Sequence, residues 1–297
     1  MPFTYLQRIE LLGKILSPSR LLRIVDVGAN PLESPPYKSL LEVGLAEVWA
    51  FEPQKSAYEE LLKDKRPNFH LLPYAVGDGQ DANLHVCKSS GFSSLLAPNQ
   101  NAISYLNRWQ RAMRVVETIP IQTHRLDDMK DIPSIDFLKI DIQGGETKVF
   151  SNGLEKLSGV LGVVTEVAAI QLYENQPLLD EQMRMLRSLG LDLHKFLFFK
   201  SASLNHSSAA QLRQRRIKNQ LIDGDAVFVR SLLNLKDLTD EQLKFLILLS
   251  DSVFESFDLA LHLLSILETR EAIPSGSTDK YLQKLPENLK TTSSQDT

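Results

Sequence analysis

Three carboxylates in this sequence stand where a carboxylate is costly unless something answers it. Asp26 interrupts the apolar run RIVDVG at 23–28, Glu52 closes EVWAFE at 47–52, and Asp141 closes IDFLKID at 135–141. Each run is short, apolar and stopped by turn residues, the pattern of a buried strand feeding a loop. A buried carboxylate needs a charge or hydrogen-bond partner. A cationic or donor-rich ligand, such as the amino group of a methionine-like moiety, would answer Asp26. Glu52, at a strand end, is placed to accept hydrogen bonds from two ribose hydroxyls. Gly28 lets the backbone turn closely under a ligand. An acid on one strand, a glycine turn and an acid closing the next strand together describe a nucleoside site.

The turn itself narrows the nucleoside. Dinucleotide sites place G-x-G-x-x-G there to admit a pyrophosphate. Here the turn reads Gly28-Ala29-Asn30-Pro31-Leu32-Glu33, with one glycine. A nucleoside cofactor without phosphates fits better than NAD. An NAD(P)-dependent oxidoreductase or epimerase is therefore the weaker alternative. A non-catalytic Rossmann-like binding or assembly module is a second one.

Further chemistry-bearing residues gather near the same strand ends. Gly144 and Gly145 follow Asp141-Ile142-Gln143 and allow close backbone approach. Glu146 falls in the first turn of the next helix, where a negative charge is favoured. Glu166 lies near the end of VLGVVTEV at 160–167. His124 precedes RLDDM at 125–129, and a lone histidine there is more often a surface or hydrogen-bonding residue than a base. Asp141, Glu166 and His124 are the candidate bases for activating a hydroxyl, with Asp141 favoured for its strand-end position. No compact His/Asp cluster suggests a metal.

These residues need elements to hold them. Leu6, Ile9, Leu12, Ile15 and Leu16 recur at helical spacing and predict a helix ending near Ser17-Pro18. Strands are expected at 23–28, 47–52, 69–76, 135–141, 160–167, 193–199 and 226–230. Helices are expected at 55–65 and 178–189, the latter closed by Gly190. Strands alternating with helices predict an α/β fold with a mostly parallel sheet. Residues 81–123 break that rhythm with two alternating segments, 82–87 and 115–123, around a serine-rich stretch, and read as an insertion beside the ligand crevice. Arg213, Arg215, Arg216 and Lys218 form a charge run between the last two strands, and such a run reads as a solvated face. Helical patterns fill 239–249 and 251–267. Their leucines at 243, 246, 249, 261, 264 and 267 need a partner face, from this domain or from a second copy in a homodimer.

The expected domains are an N-terminal helix at 1–20, a catalytic domain at 21–232, a helical extension at 233–290 and a disordered tail at 291–297. The chain has 297 residues, a net charge of −4 and one cysteine, Cys87. That balance gives no electrostatic footprint for nucleic acid. No stretch is long and apolar enough to span a bilayer, and no signal peptide is evident. A cytoplasmic protein is expected.

The ordered motifs resemble a known family. DVGAN at 26–30, AFEP at 50–53, AVGD at 75–78, SSL at 93–95, RLDDM at 125–129, FLKIDIQGGE at 137–146, EVAAIQLYENQPLL at 166–179 and AVFVR at 226–230 occur in the order of the FkbM methyltransferases. The resemblance covers about residues 20–232. It implies a Rossmann-like class I methyltransferase fold, a seven-stranded sheet with its last strand antiparallel. It implies S-adenosylmethionine as cofactor and methyl transfer to a hydroxyl, often on a sugar or polyketide. By motif, Asp26, Gly28 and Asn30 would surround the methionine portion, Glu52 with Pro53 the ribose, and Ala75, Val76 and Asp78 the adenine. Asp141 and Gln143 would lie where cofactor meets acceptor. Ser93, Ser94 and Tyr173 would line the acceptor pocket. Leu32 stands where the family has a glycine, and Gln143 where many members have glutamate.

Overall fold

A computed structural model describes residues 5–31, 34–106, 108–213 and 216–291. Leu32, Arg215 and the tail from residue 292, all singled out above, lie outside the described residues. The described strands are β1 (Leu22–Val27), β2 (Ala46–Phe51), β3 (Phe69–Leu72), β4 (Ala75–Val76), β5 (Asp81–Cys87), β6 (Val115–His124), β7 (Phe137–Ile140), β8 (Gly162–Ala168), β9 (Leu191–Ala202) and β10 (Gln220–Arg230). The α-helices are α1 (Tyr5–Leu16), α2 (Lys38–Glu42), α3 (Lys55–Leu61), α4 (Gln100–Leu106), α5 (Glu146–Ser151), α6 (Leu154–Leu157), α7 (Leu179–Ser188), α8 (Asp240–Ser252), α9 (Phe257–Thr269) and α10 (Ser277–Leu282).

The chain divides into two compact units. One holds residues 23–33 and 48–232. Its centre is a seven-stranded sheet in the order β3-β2-β1-β7-β8-β10-β9. β1, β7 and β8 run parallel, as do β2 and β3, whereas β10 runs antiparallel to both β8 and β9. This is the Rossmann-like methyltransferase architecture, with the last strand reversed. Every residue of β8 is buried, as expected for a strand covered on both faces. Its one buried hydroxyl is answered from α7: Thr165 donates to Gln182 Oε1 at 3.0 Å, and the Gln182 amide donates to Glu166 O at 2.9 Å. Gly190, with φ of +78°, ends α7 in the left-handed cap position that glycine takes most readily.

The expected strand at 69–76 is two strands. Phe51 pairs with Leu72 in the large sheet, but Ala75 and Val76 pair with Thr123 and His124 in a separate three-stranded sheet, β4-β6-β5. Pro73 sits at the break; it has no N–H to continue a ladder. The two alternating segments read as an insertion are β5 and β6, which form an antiparallel pair from Asp81↔Gln122 to Cys87↔Val115.

The other unit holds residues 1–22, 34–47 and 233–297. It thus joins the N-terminal helix, the connection carrying α2 and the C-terminal helices, a grouping the linear pattern does not reveal. Within it α8 packs on α9 and α1, and α1 also meets α10. Leu243, Leu246, Leu249, Leu264 and Leu267 are fully buried, and Leu261 is half-buried. Thr239 caps α8: its hydroxyl accepts from Gln242 N–H, and the Gln242 side chain accepts from Thr239 N–H. Arg8 Nε donates to Asp251 Oδ1 at 2.7 Å, and Tyr281 OH donates to the same oxygen at 2.6 Å. The Arg8 guanidinium also lies over the rings of Tyr5 and Phe257. No helix among the described residues is long and apolar enough to cross a membrane.

Candidate active site

The strand order reverses between β1 and β7, and ligands in open α/β sheets bind outside the carboxyl ends at such a point. Two turns build this edge. Gly28 and Ala29 N–H both donate to Phe51 O, at 3.1 and 2.9 Å, and Asp141 N–H donates to Val27 O at 3.0 Å. Gly28 has φ of +85°, and a Cβ there would sit 2.1 Å from Asp141 O. The close approach that requires glycine here is to the neighbouring strand, in addition to the expected close turn under a ligand.

Asp26 is buried, and its answer lies within the chain. The register pairs Asp26 with Lys139, and Lys139 Nζ lies 3.1 Å from Asp26 Oδ1. The same ammonium donates to Gly28 O at 3.0 Å. Burial would lower the Lys139 pKa, but Asp26, then Asp141 and Asp225, raise it overall. The expected ligand cation is thus not needed to neutralise Asp26. Glu52 differs. Among the described residues its buried carboxylate takes one hydrogen bond, from Gln54 N–H at 2.7 Å. Burial pushes its pKa up to about 7. Pro53 follows it, half-buried, as is Asn30 beyond the glycine turn.

The second group centres on Gln143. In the parallel register Ile140 faces Thr165, so the next residues, Asp141 and Glu166, leave adjacent strands side by side. Gln143 Nε2 donates to Asp141 Oδ1 at 2.8 Å and to Glu166 Oε2 at 2.7 Å. Its Oε1 accepts from Tyr173 OH at 2.9 Å. That amide has one orientation, because only its nitrogen can serve two carboxylates. Gln143 holds φ of +61°, a left-handed conformation unfavourable for a side-chain-bearing residue. Its carbonyl accepts from Ser94 OH at 2.8 Å, and Glu146 closes the turn by accepting from Ile142 and Gly144 N–H at 3.0 and 3.2 Å. Burial raises Glu146 to about 7. Glu166 is pushed well above the carboxylate range by burial, then by Asp141, Asp223 and Glu146. Burial and Glu166 likewise raise Tyr173, which stays a phenol and a donor.

The structure thus brings Asp141, Gln143, Glu166, Tyr173 and Ser94 into one network. Ser94 and Tyr173 are buried and spend their hydroxyls on the chain. Ser93 likewise accepts from Cys87 N–H at 3.1 Å. His124 stands apart on β6, with its ring 4.8 Å from that of Tyr74. Near it, Ala75 and Val76 are buried in β4. Asp78 lies 3.0 Å from Lys148 Nζ and accepts from Thr123 OH at 3.2 Å; the Lys148 hydrogen bond lowers its pKa.

Three kinds of comparison bear on this edge. The sequence description of the Methyltransferase FkbM domain matches residues 26–193, more than half of the chain. The chain belongs to the FkbM methyltransferase family. It is an S-adenosylmethionine-dependent methyltransferase. Among curated proteins, it is 26% identical over 182 residues to the 2-O-methyltransferase NoeI of Sinorhizobium fredii (strain NBRC 101917 / NGR234), covering 57% of this chain and 72% of that protein. Among solved structures, magnesium protoporphyrin IX methyltransferase from Synechocystis PCC 6803 aligns with TM-score 0.36 and 9% identity over 76% of this chain and 80% of that one. A Listeria monocytogenes structure titled a putative S-adenosylmethionine dependent methyltransferase gives 0.37 and 6% over 75% and 98%. Those two likenesses are weak, and membership rests on the domain match.

The FkbM match spans the whole glutamine network and ends inside β9. The family motifs singled out Asp141 and Gln143 but left Lys139 without a role. Its signal was present: two opposite charges are each the next-to-last residue of an apolar strand, at 26 and 139. Lys200 and Asp223, 3.1 Å apart, lie beyond the match.

Proposed function

We propose that this FkbM enzyme methylates a hydroxyl oxygen on a sugar, glycan, polyketide or related metabolite. The observation that carries the reading is the pair of carboxylates, Asp141 and Glu166, joined by one amide at the carboxyl ends of β7 and β8. A hydroxyl is a poor nucleophile until a base takes its proton. The name of the curated relative, a 2-O-methyltransferase, supports an oxygen acceptor.

Several residues of this edge support a place for the cofactor. Glu52 has a buried carboxylate with acceptor capacity left for two ribose hydroxyls. Asp26 near the end of β1 and Gly28 and Asn30 on the turn after it are the residues the motifs give to the methionine portion, and Pro53 lies beside Glu52. Ala75, Val76 and Asp78 offer an apolar floor and an acceptor for the adenine. When bound, S-adenosylmethionine supplies an electrophilic methyl group on a sulfonium and leaves as a neutral thioether.

The chain's residues must then hold the acceptor oxygen in line and remove its proton. Asp141 is the more exposed of the two carboxylates and meets the hydroxyl. Its proton goes to the Asp141 carboxylate as the oxygen–carbon bond forms. Glu166, behind it, is pushed well above the carboxylate range by burial and by Asp141, and holds its own proton while Asp141 meets the acceptor. Gln143 fixes both carboxyl groups, and Tyr173 and Ser94 hold Gln143, while Ser93 binds the end of β5 at Cys87. His124 takes no part.

The test is transfer of labelled methyl from the cofactor to a panel of hydroxylated sugars and glycans, with Asp141→Asn and Glu166→Gln compared. An alkali-stable ether product and a loss in kcat of about 10²–10⁴ in Asp141→Asn are expected. An N-methyl or ester product would sink the hydroxyl reading. Full activity in Asp141→Asn with loss in Glu166→Gln would move the base to Glu166.

A further inference from the structure

The sheet register carries a row of side chains outward from the glutamine network. Glu166 on β8 pairs with Asp225 on β10, and Asp225 pairs with Phe198 on β9. Residues directly opposite each other on paired strands share a face. Gln143 already joins Asp141 to Glu166, so Asp141, Glu166, Asp225 and Phe198 cross four adjacent strands on one side of the sheet. β9 and β8 both run antiparallel to β10 and are therefore parallel to each other, so the end of β9 comes to the same edge as Asp141. One step nearer that edge, Asp223 pairs with Ala168, and Lys200 Nζ lies 3.1 Å from Asp223 Oδ1. The same ammonium lies 5.3 Å from the centre of the Phe198 ring. Phe198, Lys200, Asp223 and Asp225 all follow the end of the FkbM match.

Two members of this group reach solvent. The Lys200 side chain is 52% exposed against 8% for Asp223, and Phe198 is 43% exposed. Burial would lower the Lys200 pKa, but Asp223, then Glu166 and Asp141, raise it overall, so it stays an ammonium. An ammonium has three N–H donors, and its pairing with Asp223 does not use them all. Because the buried Asp223 answers its charge, Lys200 offers a ligand a fixed donor for a neutral oxygen, not an uncompensated cation for an anion. The Phe198 ring offers an apolar face beside that donor. Strands lie about 4.8 Å apart, so the backbones of Asp141 and Phe198 are separated by roughly 14 Å. Lys200 leans back across one strand to Asp223, and the distance left to Asp141 is one that a sugar ring with its hydroxyls spans. We infer that Lys200 and Phe198 hold the acceptor as a sugar ring while Asp141 meets the hydroxyl to be methylated. A second ring oxygen accepts from Lys200, and the C–H face of the sugar packs on Phe198. An aromatic surface with a few placed polar groups is the usual composition of a small-ligand site. The inference rests on the hydroxyl reading above and makes these two side chains determinants of acceptor specificity.

The test is saturation-transfer NMR on the full chain with S-adenosylhomocysteine bound, using the methyl glycosides of neutral hexoses and deoxyhexoses and of glucuronic acid at millimolar concentration. Binding of at least one neutral glycoside, with no preference for the glucuronide, is expected. Phe198→Ala should weaken that binding about tenfold. Lys200→Met alone would leave Asp223 buried without its cation, so Asp223→Asn accompanies it, and the double variant should also lose about tenfold. Both variants should bind S-adenosylhomocysteine as the unaltered chain does, which shows the fold and the cofactor site intact. No binding of any glycoside, or full binding by both variants, would overturn the inference. Tighter binding of the glucuronide, lost with Lys200, would overturn it in favour of an anion site. The labelled-methyl assay reads the hydroxyl proposal separately: an ether product on an acceptor without a sugar ring would leave that proposal standing and sink this one.

Discussion

Gln143 is neutral, and two carboxylates depend on that. Its amide nitrogen donates to Asp141 and to Glu166, which burial and Asp141 push well above the carboxylate range. Gln143→Glu would place a third carboxylate between them, and like charges that close hold a proton. The acid limb of the pH–rate profile should shift upward by a unit or more (~1), while cofactor affinity stays within a fewfold. An unmoved profile would remove Gln143 from the ionisation of the site. Glu52 gives a second residue-scale expectation. Its pKa in the unliganded protein is about 7, and ribose hydroxyls donate best to the charged form. S-adenosylhomocysteine should bind about tenfold tighter at pH 8 than at pH 6, and Glu52→Gln should flatten that dependence in calorimetric titration. The same raised pKa carries the opposite sign for stability. The contribution is full below the unfolded value of 4.5 and is lost as pH rises through about 7. Melting measured without cofactor should therefore fall over that window, and fall less in Glu52→Gln.

At the scale of elements, β1 and β7 are tied by a buried ion pair as well as by their ladder. Lys139→Met would strand Asp26, at a cost of about 3–5 kcal/mol. Adding Asp26→Asn should restore most of that stability and still leave cofactor affinity reduced, because the second pair member also holds the Gly28 turn. Denaturant titration and cofactor binding on the two singles and the double separate those effects. This pairing explains what the sequence could and could not disclose. The apolar runs at β1, β2, β7 and β8 are legible because strands buried on both faces are continuous and hydrophobic. Asp26, Glu52, Asp141 and Glu166 stand out because carboxylates at such places need an explanation. The register that brings Asp141 beside Glu166, and Lys139 beside Asp26, is a fact of strand pairing and not of linear spacing. Pro73 did mark the break between β3 and β4, but an apolar run on either side hides a change of sheet.

At the scale of the molecule, the unit formed by residues 1–22, 34–47 and 233–297 is assembled from three separated pieces. An extension at 233–290 suggests an appendage that could be trimmed, whereas α1 packs against α8 and α10. Cutting the chain after Leu232 should expose the apolar face of α1 and give aggregated protein, as judged by size-exclusion chromatography. Asp251 is the charged centre of that unit, accepting from Arg8 and Tyr281. Asp251→Ala leaves a buried guanidinium without its partner and should cost about 3–5 kcal/mol, whereas replacing Arg8 and Asp251 together with apolar residues should cost much less. Thermal unfolding of the single and double variants reads this directly.

The separation of these partners along the chain has a consequence in time. Ile24 finds Phe137 in the sheet, and Arg8 finds Asp251 in the helical unit. Neither contact can form on a growing polypeptide until its distant half has left the ribosome. Long loops must close before those contacts give any return, which slows folding and leaves apolar strands uncovered in the interval. For this protein, Asp26 spends the wait in water as an ordinary carboxylate inside a hydrophobic segment. A charge that needs an internal counter-ion in the finished enzyme thus serves, during synthesis, as a solubilising interruption of its first strand.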